Sequence, residues 1–142
     1  MLSYLLPIAL VVLSNVIYHI CAKSVPEEMN PFASLTVTYL IGAAVSALIC
    51  LITKPGGGLF KELGKINWAP FVLGIAIIGL EAGFIYAYKA GWQISTASLV
   101  QSSVLAVVLI FIGFMLYKEA LTWNKLLGAA VCLAGLVLIN LK

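Results

Sequence analysis

Charge is what this chain has least of. Of its 142 residues only 9% are charged, where about a quarter is usual in a soluble domain. Eight lysines, five glutamates and no arginine must serve the whole surface, and no soluble surface can be built from that. The net charge of +3 is small and scattered, with no basic run and no interleaving of basic and aromatic residues. Nucleic acid is therefore excluded as a partner. The three cysteines, Cys21, Cys50 and Cys132, have no metal or redox spacing. They lie within or at the ends of apolar segments and read as buried bystander thiols. The one histidine, His19, cannot build a metal site alone. There is no HExxH, no phosphate loop and no His/Asp or Cys/His constellation, so neither an enzyme nor a cofactor is indicated.

What the chain does have is apolar length. It is 63% hydrophobic with a mean hydropathy of +1.15, which points to an all-α integral membrane protein. A bilayer-spanning helix needs about 20 mostly apolar residues, and five such stretches occur, at approximately 2–22, 31–53, 68–91, 95–117 and 122–141. Together they form a single transmembrane domain over 1–142. The first stretch lacks a basic flank before it and reads as a retained span, not a cleaved signal. An interfacial first helix, leaving four spans, is the alternative, but that stretch has no charged face. Pro31 suits the first turn of the second helix, and Thr122 can cap the fifth. Trp68, Trp92 and Trp123 all fall at predicted span ends, where amphipathic rings favour the interface. The longest loop, 54–67, is marked by glycine and proline at its start and is amphipathic later. The junction around Gly91 predicts a short hairpin between the third and fourth spans.

Five spans place the termini on opposite sides of the membrane. Lys54, Lys61, Lys65, Lys118 and Lys125 then share the side of the N-terminus, against Lys23, Lys89 and Lys142 on the other. The bias favours an N-terminus inside, and its weakness permits insertion both ways. The location that follows is the cell (cytoplasmic or inner) membrane, multi-pass.

The third span, GIAIIGLEAGFIYAYKAGW, carries one carboxylate, Glu81, near its middle. On a helix Glu81, Phe84, Tyr88 and Trp92 fall on one stripe, with Lys89 at its margin. Ala76, Gly79, Gly83 and Ala90 fall nearly opposite, small enough for close backbone contact. An ionisable residue inside the membrane is a functional candidate by default. Desolvation penalises an ionised carboxylate, which lets a proton and a substrate compete for Glu81. The aromatic stripe could hold a cationic or amphipathic substrate by its ring faces. The plainer alternative is a Glu81 paired with a polar group on a neighbouring helix. Lys89, about 12 Å further along the axis, reads first as a lysine snorkelling to the interface.

Polar lining comes from other spans. Asn15, Tyr18, His19 and Ala22 share a face of the first, where His19 could relay protons or bond a substrate. The fourth is polar only in its first half, where Gln101 stands out among Ser95, Ser98, Ser102 and Ser103. In the second, Tyr39, Gly42, Ala43 and Ser46 form a small-polar strip that reads as packing. Gly128, Ala129, Cys132 and Gly135 make a close-packing seam on the fifth.

The last third, with Ser98–Gln101, then Tyr117-Lys118-Glu119-Ala120-Leu121-Thr122, Leu127-Gly128-Ala129-Ala130 and Ala134-Gly135, resembles the EamA-type half of the drug/metabolite transporter superfamily. The resemblance covers the five-span layout and, in sequence, chiefly residues 95–141. It implies one EamA-like repeat of a transporter of small metabolites or lipophilic compounds. Full-length members are similar to two five-span halves of opposite orientation, so an antiparallel homodimer or a heterodimer with a paralogue is implied. A distant similarity to the small multidrug resistance family stops at its glutamate. That residue stands in the first span there, whereas this chain's is in the third. Glu119 matches the EamA-type glutamate by position and reads as structural. The reading that results is a dimeric, alternating-access transporter in the lipid bilayer. Glu81 is its proton and substrate site, with Phe84, Tyr88 and Trp92 as aromatic wall and Asn15, His19 and Gln101 as polar lining. Its rival is a non-transporting subunit that scaffolds or regulates a partner.

Overall fold

The computed structural model describes residues 2–53 and 58–140, and every regular element among them is a helix. Helix α1 runs over Leu2–Lys23, α2 over Pro31–Thr53, α3 over Gly58–Leu63, α4 over Ala69–Lys89, α5 over Ile94–Tyr117 and α6 over Trp123–Asn140. The start of the expected long loop, together with Lys54, Leu141 and Lys142, lies outside the described residues. The loop's amphipathic part is α3, one short helix whose end is followed by a Lys65–Glu62 ion pair at 3.0 Å.

Local chemistry sets the helix ends. Ser24 closes α1 by donating from its hydroxyl to the Ile20 carbonyl at 2.8 Å. Asn30 opens α2: its side-chain Oδ1 accepts from the Phe32 N–H at 2.9 Å, with Pro31 following as the first helical residue. This is the side-chain cap that satisfies a first-turn donor. Asn67 serves α4 in the same way, accepting from the Ala69 N–H at 3.0 Å. At the far end of α4 the backbone turns through Gly91 with φ +93°, a conformation that suits glycine. Helix α5 ends on Lys118, which adopts φ 53°, and the Glu119 N–H reaches back to the Gly113 carbonyl at 3.0 Å. The Lys118 N–H reaches the same carbonyl, so both donors close the helix C-terminus through one left-handed residue. The Thr122 carbonyl then accepts from Lys125 and Leu126 to start α6.

Helices α1, α2, α4 and α5 have 22, 23, 21 and 24 residues. At about 1.5 Å per residue they exceed the roughly 30 Å of a hydrocarbon core. All four are long and apolar enough to cross a membrane. Where a fifth span was expected the chain forms α6, apolar over Trp123–Leu138 and too short to count with the other four. Large aliphatic side chains face outward throughout: Ile75 is 73% exposed, Leu116 74% and Val131 70%. The lipid-facing surface explains this, and the chain is a multi-pass membrane protein. The same surface corrects one expectation. Cys21 and Cys132 are exposed, not buried, because a thiol is apolar enough to stay outside the protein core of a membrane chain.

The described chain divides into two compact units, 1–90 and 91–142. In the first, α4 packs against both α1 and α2, and α2 packs against α3. Its core is Ala22 from α1, Leu35 from α2, and Ala82, Ile85 and Tyr88 from α4. In the second, α5 packs against α6.

Candidate substrate site around Glu81

Glu81 is the one glutamate of five that lies within a spanning helix; Glu27 and Glu28 are in the α1–α2 loop, Glu62 in α3 and Glu119 in the α5–α6 turn. Rotation of α4 sets its surroundings. The most buried ridge is Ala82, Ile85 and Tyr88, three residues apart, so Glu81 and Phe84 stand at the margin of the contact, half-buried. There Glu81 borders a cavity of about 160 Å³. Helix α1 and its loop supply Tyr18, Cys21, Ala22 and Val25; α2 supplies Ser34, Leu35 and Thr38; α4 adds Ile85. The Thr38 hydroxyl already donates to the Ser34 carbonyl at 3.1 Å, within its own helix.

An aromatic cluster adjoins the cavity through Tyr18. The His19 and Phe84 rings stand 4.7 Å apart edge to face, and Tyr18 meets Phe84 at 5.9 Å. Phe84 stacks on Tyr88 at 6.0 Å. The Tyr88 hydroxyl and His19 Nδ1 share a hydrogen bond of 2.8 Å. The cluster therefore brings His19, Phe84 and Tyr88 together beside Glu81. Asn15, also expected in the lining, is exposed on α1 and does not border the cavity.

Trp92 departs from its predicted place. Helix α4 ends at Lys89 and the chain turns at Gly91, so the stripe from Glu81 through Tyr88 stops before Trp92. A positive φ cannot continue a right-handed helix. Trp92 and Gln101 belong to the second unit. Gln101 is half-buried on α5, in contact with the neighbouring Ser102 hydroxyl at 3.4 Å.

The Lys89 ammonium has partners in the α1–α2 loop. It donates to the Glu27 carbonyl at 2.7 Å and to the Met29 carbonyl, tying the α1–α2 loop to the end of α4. Lys23, from the end of α1, lies 5.9 Å from the Tyr88 ring centroid. The face of Gly79 and Gly83 is open, with nothing within 4 Å of where a Cβ would stand.

Two residues of the site were not legible as such. Tyr18 shares the face of His19 and borders the cavity, and Tyr39 of α2 lies beside Glu81, close enough to act on its carboxylate but short of hydrogen-bond geometry. The signal available was a tyrosine in mid-span, whose hydroxyl needs a polar neighbour in a membrane.

Among the described residues the charged groups of the second unit lie at the α5–α6 turn. Lys125 of α6 pairs with Glu119 at 3.1 Å, and a Cβ on Gly113 would stand 3.2 Å from the Glu119 carboxyl carbon. An apolar groove of about 430 Å³ runs along α5 beneath this pair. Among the described residues no three His, Cys, Asp or Glu side chains gather as a metal site.

The sequence pattern of the EamA-like transporter family matches residues 2–141. The chain belongs to that family. It is also similar to an uncharacterized transporter of Bacillus subtilis (strain 168), YcxC, at 26% identity over 95% of this chain. This EamA-family chain spans 45% of that relative's length. No solved structure matches it.

Proposed function

We propose that this chain is a repeat of a small-molecule transporter of the cell membrane, in which Glu81 takes up proton and substrate in turn. One observation carries the reading. The single carboxylate placed within a spanning helix borders a cavity lined from three helices. A carboxylate at that depth is costly unless it is used. Phe84 and Tyr88 form the aromatic wall and His19 its hydrogen-bonded partner, with Asn15 one turn further along α1. Family membership supports transport as the activity.

The transporting assembly in this reading is a pair of five-helix repeats working by alternating access, α6 being the fifth span. A related protein about twice as long supports the pairing, as does the open Gly79–Gly83 face, which admits a close helix approach. An even exchange of orientation would make two copies an inverted pair. Two-sided labelling of a C-terminal tag in native membranes tests this: comparable signal from both sides is expected for the antiparallel homodimer, and signal from one side overturns it.

The function itself is tested in proteoliposomes under an imposed pH gradient, with uptake followed for a panel of small organic cations. Glu81→Gln should abolish the pH dependence while the protein stays folded. Retained pH-dependent uptake removes Glu81 from the mechanism.

A further inference from the structure

Two hydroxyls beside Glu81 have no partner. Tyr18 Oη of α1 and Tyr39 Oη of α2 are both buried, and neither makes a hydrogen bond. Buried polar groups are nearly always paired, and a phenol in a spanning helix has no water to turn to. Tyr18 borders the same cavity as Glu81, and Tyr39 follows directly on Thr38, which also borders it. Three helices thus each bring one oxygen-bearing side chain to the same place. Beyond the Cys21, Ser34 and Thr38 side chains the remaining wall is apolar. Ala22, Leu35 and Ile85 are among the most buried apolar residues of the unit, and all three line it.

We propose that this site binds a small primary ammonium ion, held by the Glu81 carboxylate and the hydroxyl oxygens of Tyr18 and Tyr39, with its short alkyl chain against Ala22, Leu35 and Ile85. The assignment rests on the reading of Glu81 as the substrate carboxylate and specifies what that carboxylate selects. The stoichiometry matches: an ammonium group has three N–H donors and no acceptor, and a phenol oxygen can accept. A quaternary ammonium carries the charge without donors and would leave both hydroxyls unpaired. An anionic ligand would meet Glu81 with like charge. Size narrows the class further. A cavity of about 160 Å³ is well below the roughly 300–1,000 Å³ of sites for drug-sized ligands. The Tyr18 and Phe84 rings next to the site add the attraction of an aromatic face for a cation.

The test is direct binding to the full chain in nanodiscs, read by titration calorimetry, with n-butylammonium and tetramethylammonium as probes. A site that uses N–H donors binds n-butylammonium about tenfold or more tightly than tetramethylammonium. Tyr39→Phe and Tyr18→Phe each weaken n-butylammonium by about tenfold and leave tetramethylammonium unchanged. Circular dichroism and size-exclusion chromatography verify folding, and Tyr39→Phe decides alone if Tyr18→Phe does not fold. Equal affinity for the two cations, or Phe variants that bind n-butylammonium as the parent does, overturns the assignment. If that happens while Glu81→Gln still abolishes pH-dependent uptake, the ammonium assignment falls and the Glu81 mechanism stands. If Glu81→Gln changes neither n-butylammonium binding nor pH-dependent uptake, both fall.

Discussion

In the first unit a charged side chain lies mid-helix and meets polar groups of two other helices, whereas among the described residues of the second the charged side chains gather where α5 turns into α6. Glu81, Tyr18, His19, Tyr39 and Tyr88 come from three helices and are half-buried or buried. Glu119 and Lys125, by contrast, have side chains 60% and 43% exposed, and their pair closes the α5–α6 corner over Gly113. The difference lies in what the membrane charges for each. A carboxylate among hydrocarbon tails is expensive to keep, so its retention points to use. An ion pair at an exposed corner costs little and contributes little. The proposed function therefore assigns chemistry to Glu81 and leaves Glu119 an architectural part.

The sharpest way to break this contrast is to neutralise the two glutamates separately. Glu81→Gln should reduce pH-dependent uptake to background, while Glu119→Gln should retain it. Equal losses in the two variants would erase the distinction.

The two bonded lysines offer a second comparison, in stability. Lys89→Met leaves the Glu27 and Met29 carbonyls without their charged donor and should cost about 1–3 kcal/mol. Faster hydrogen exchange across residues 24–30 would accompany the loss. Lys125→Met removes only an exposed pair and should cost less than about 1 kcal/mol. Denaturant titration in mixed micelles reads both.

Within the first unit, Tyr88→Phe deletes the bond to His19. Interhelical hydrogen bonds in membranes average about 0.6 kcal/mol, so a loss of that size is expected, with a shift of the His19 Nδ1 resonance as its local signature. An unchanged resonance would separate His19 from Tyr88.

The smallest effect belongs to the corner. Alanine is a better helix former than glycine by up to about 1 kcal/mol, but a Cβ at Gly113 would press on the Glu119 carboxyl. Gly113→Ala should therefore stabilise the Glu119→Ala background more than the parent, by a few tenths of a kcal/mol. Additive changes would show that Glu119 does not rest on Gly113.

Much of the architecture was legible because membrane crossing demands length. The long apolar runs between polar breaks located α1, α2, α4 and α5 to within two residues at the ends the structure describes. Trp68 and Trp123 stand beside the helix starts they were expected to mark. Glu81 was legible because a single carboxylate inside an apolar run stands out without any structure. Helical periodicity was less reliable for its surroundings. It joined Trp92 to the stripe of Glu81 and Phe84, since a stripe does not know that the helix stops at Gly91. It also could not bring Tyr39 to Glu81, because a residue's face says nothing about which helix comes to meet it.

The sequence by itself determined that this chain lives in a membrane, where its helices run and which carboxylate lies within them. Those properties follow from local hydropathy and from the cost of charge in hydrocarbon, neither of which depends on tertiary contacts. Only the tertiary structure decided that α4 packs against both α1 and α2, that Tyr18 and Tyr39 both come to Glu81, and that Lys89 holds the carbonyls of Glu27 and Met29. Each is a meeting of residues far apart in the chain, set by how one helix is rotated and shifted against another.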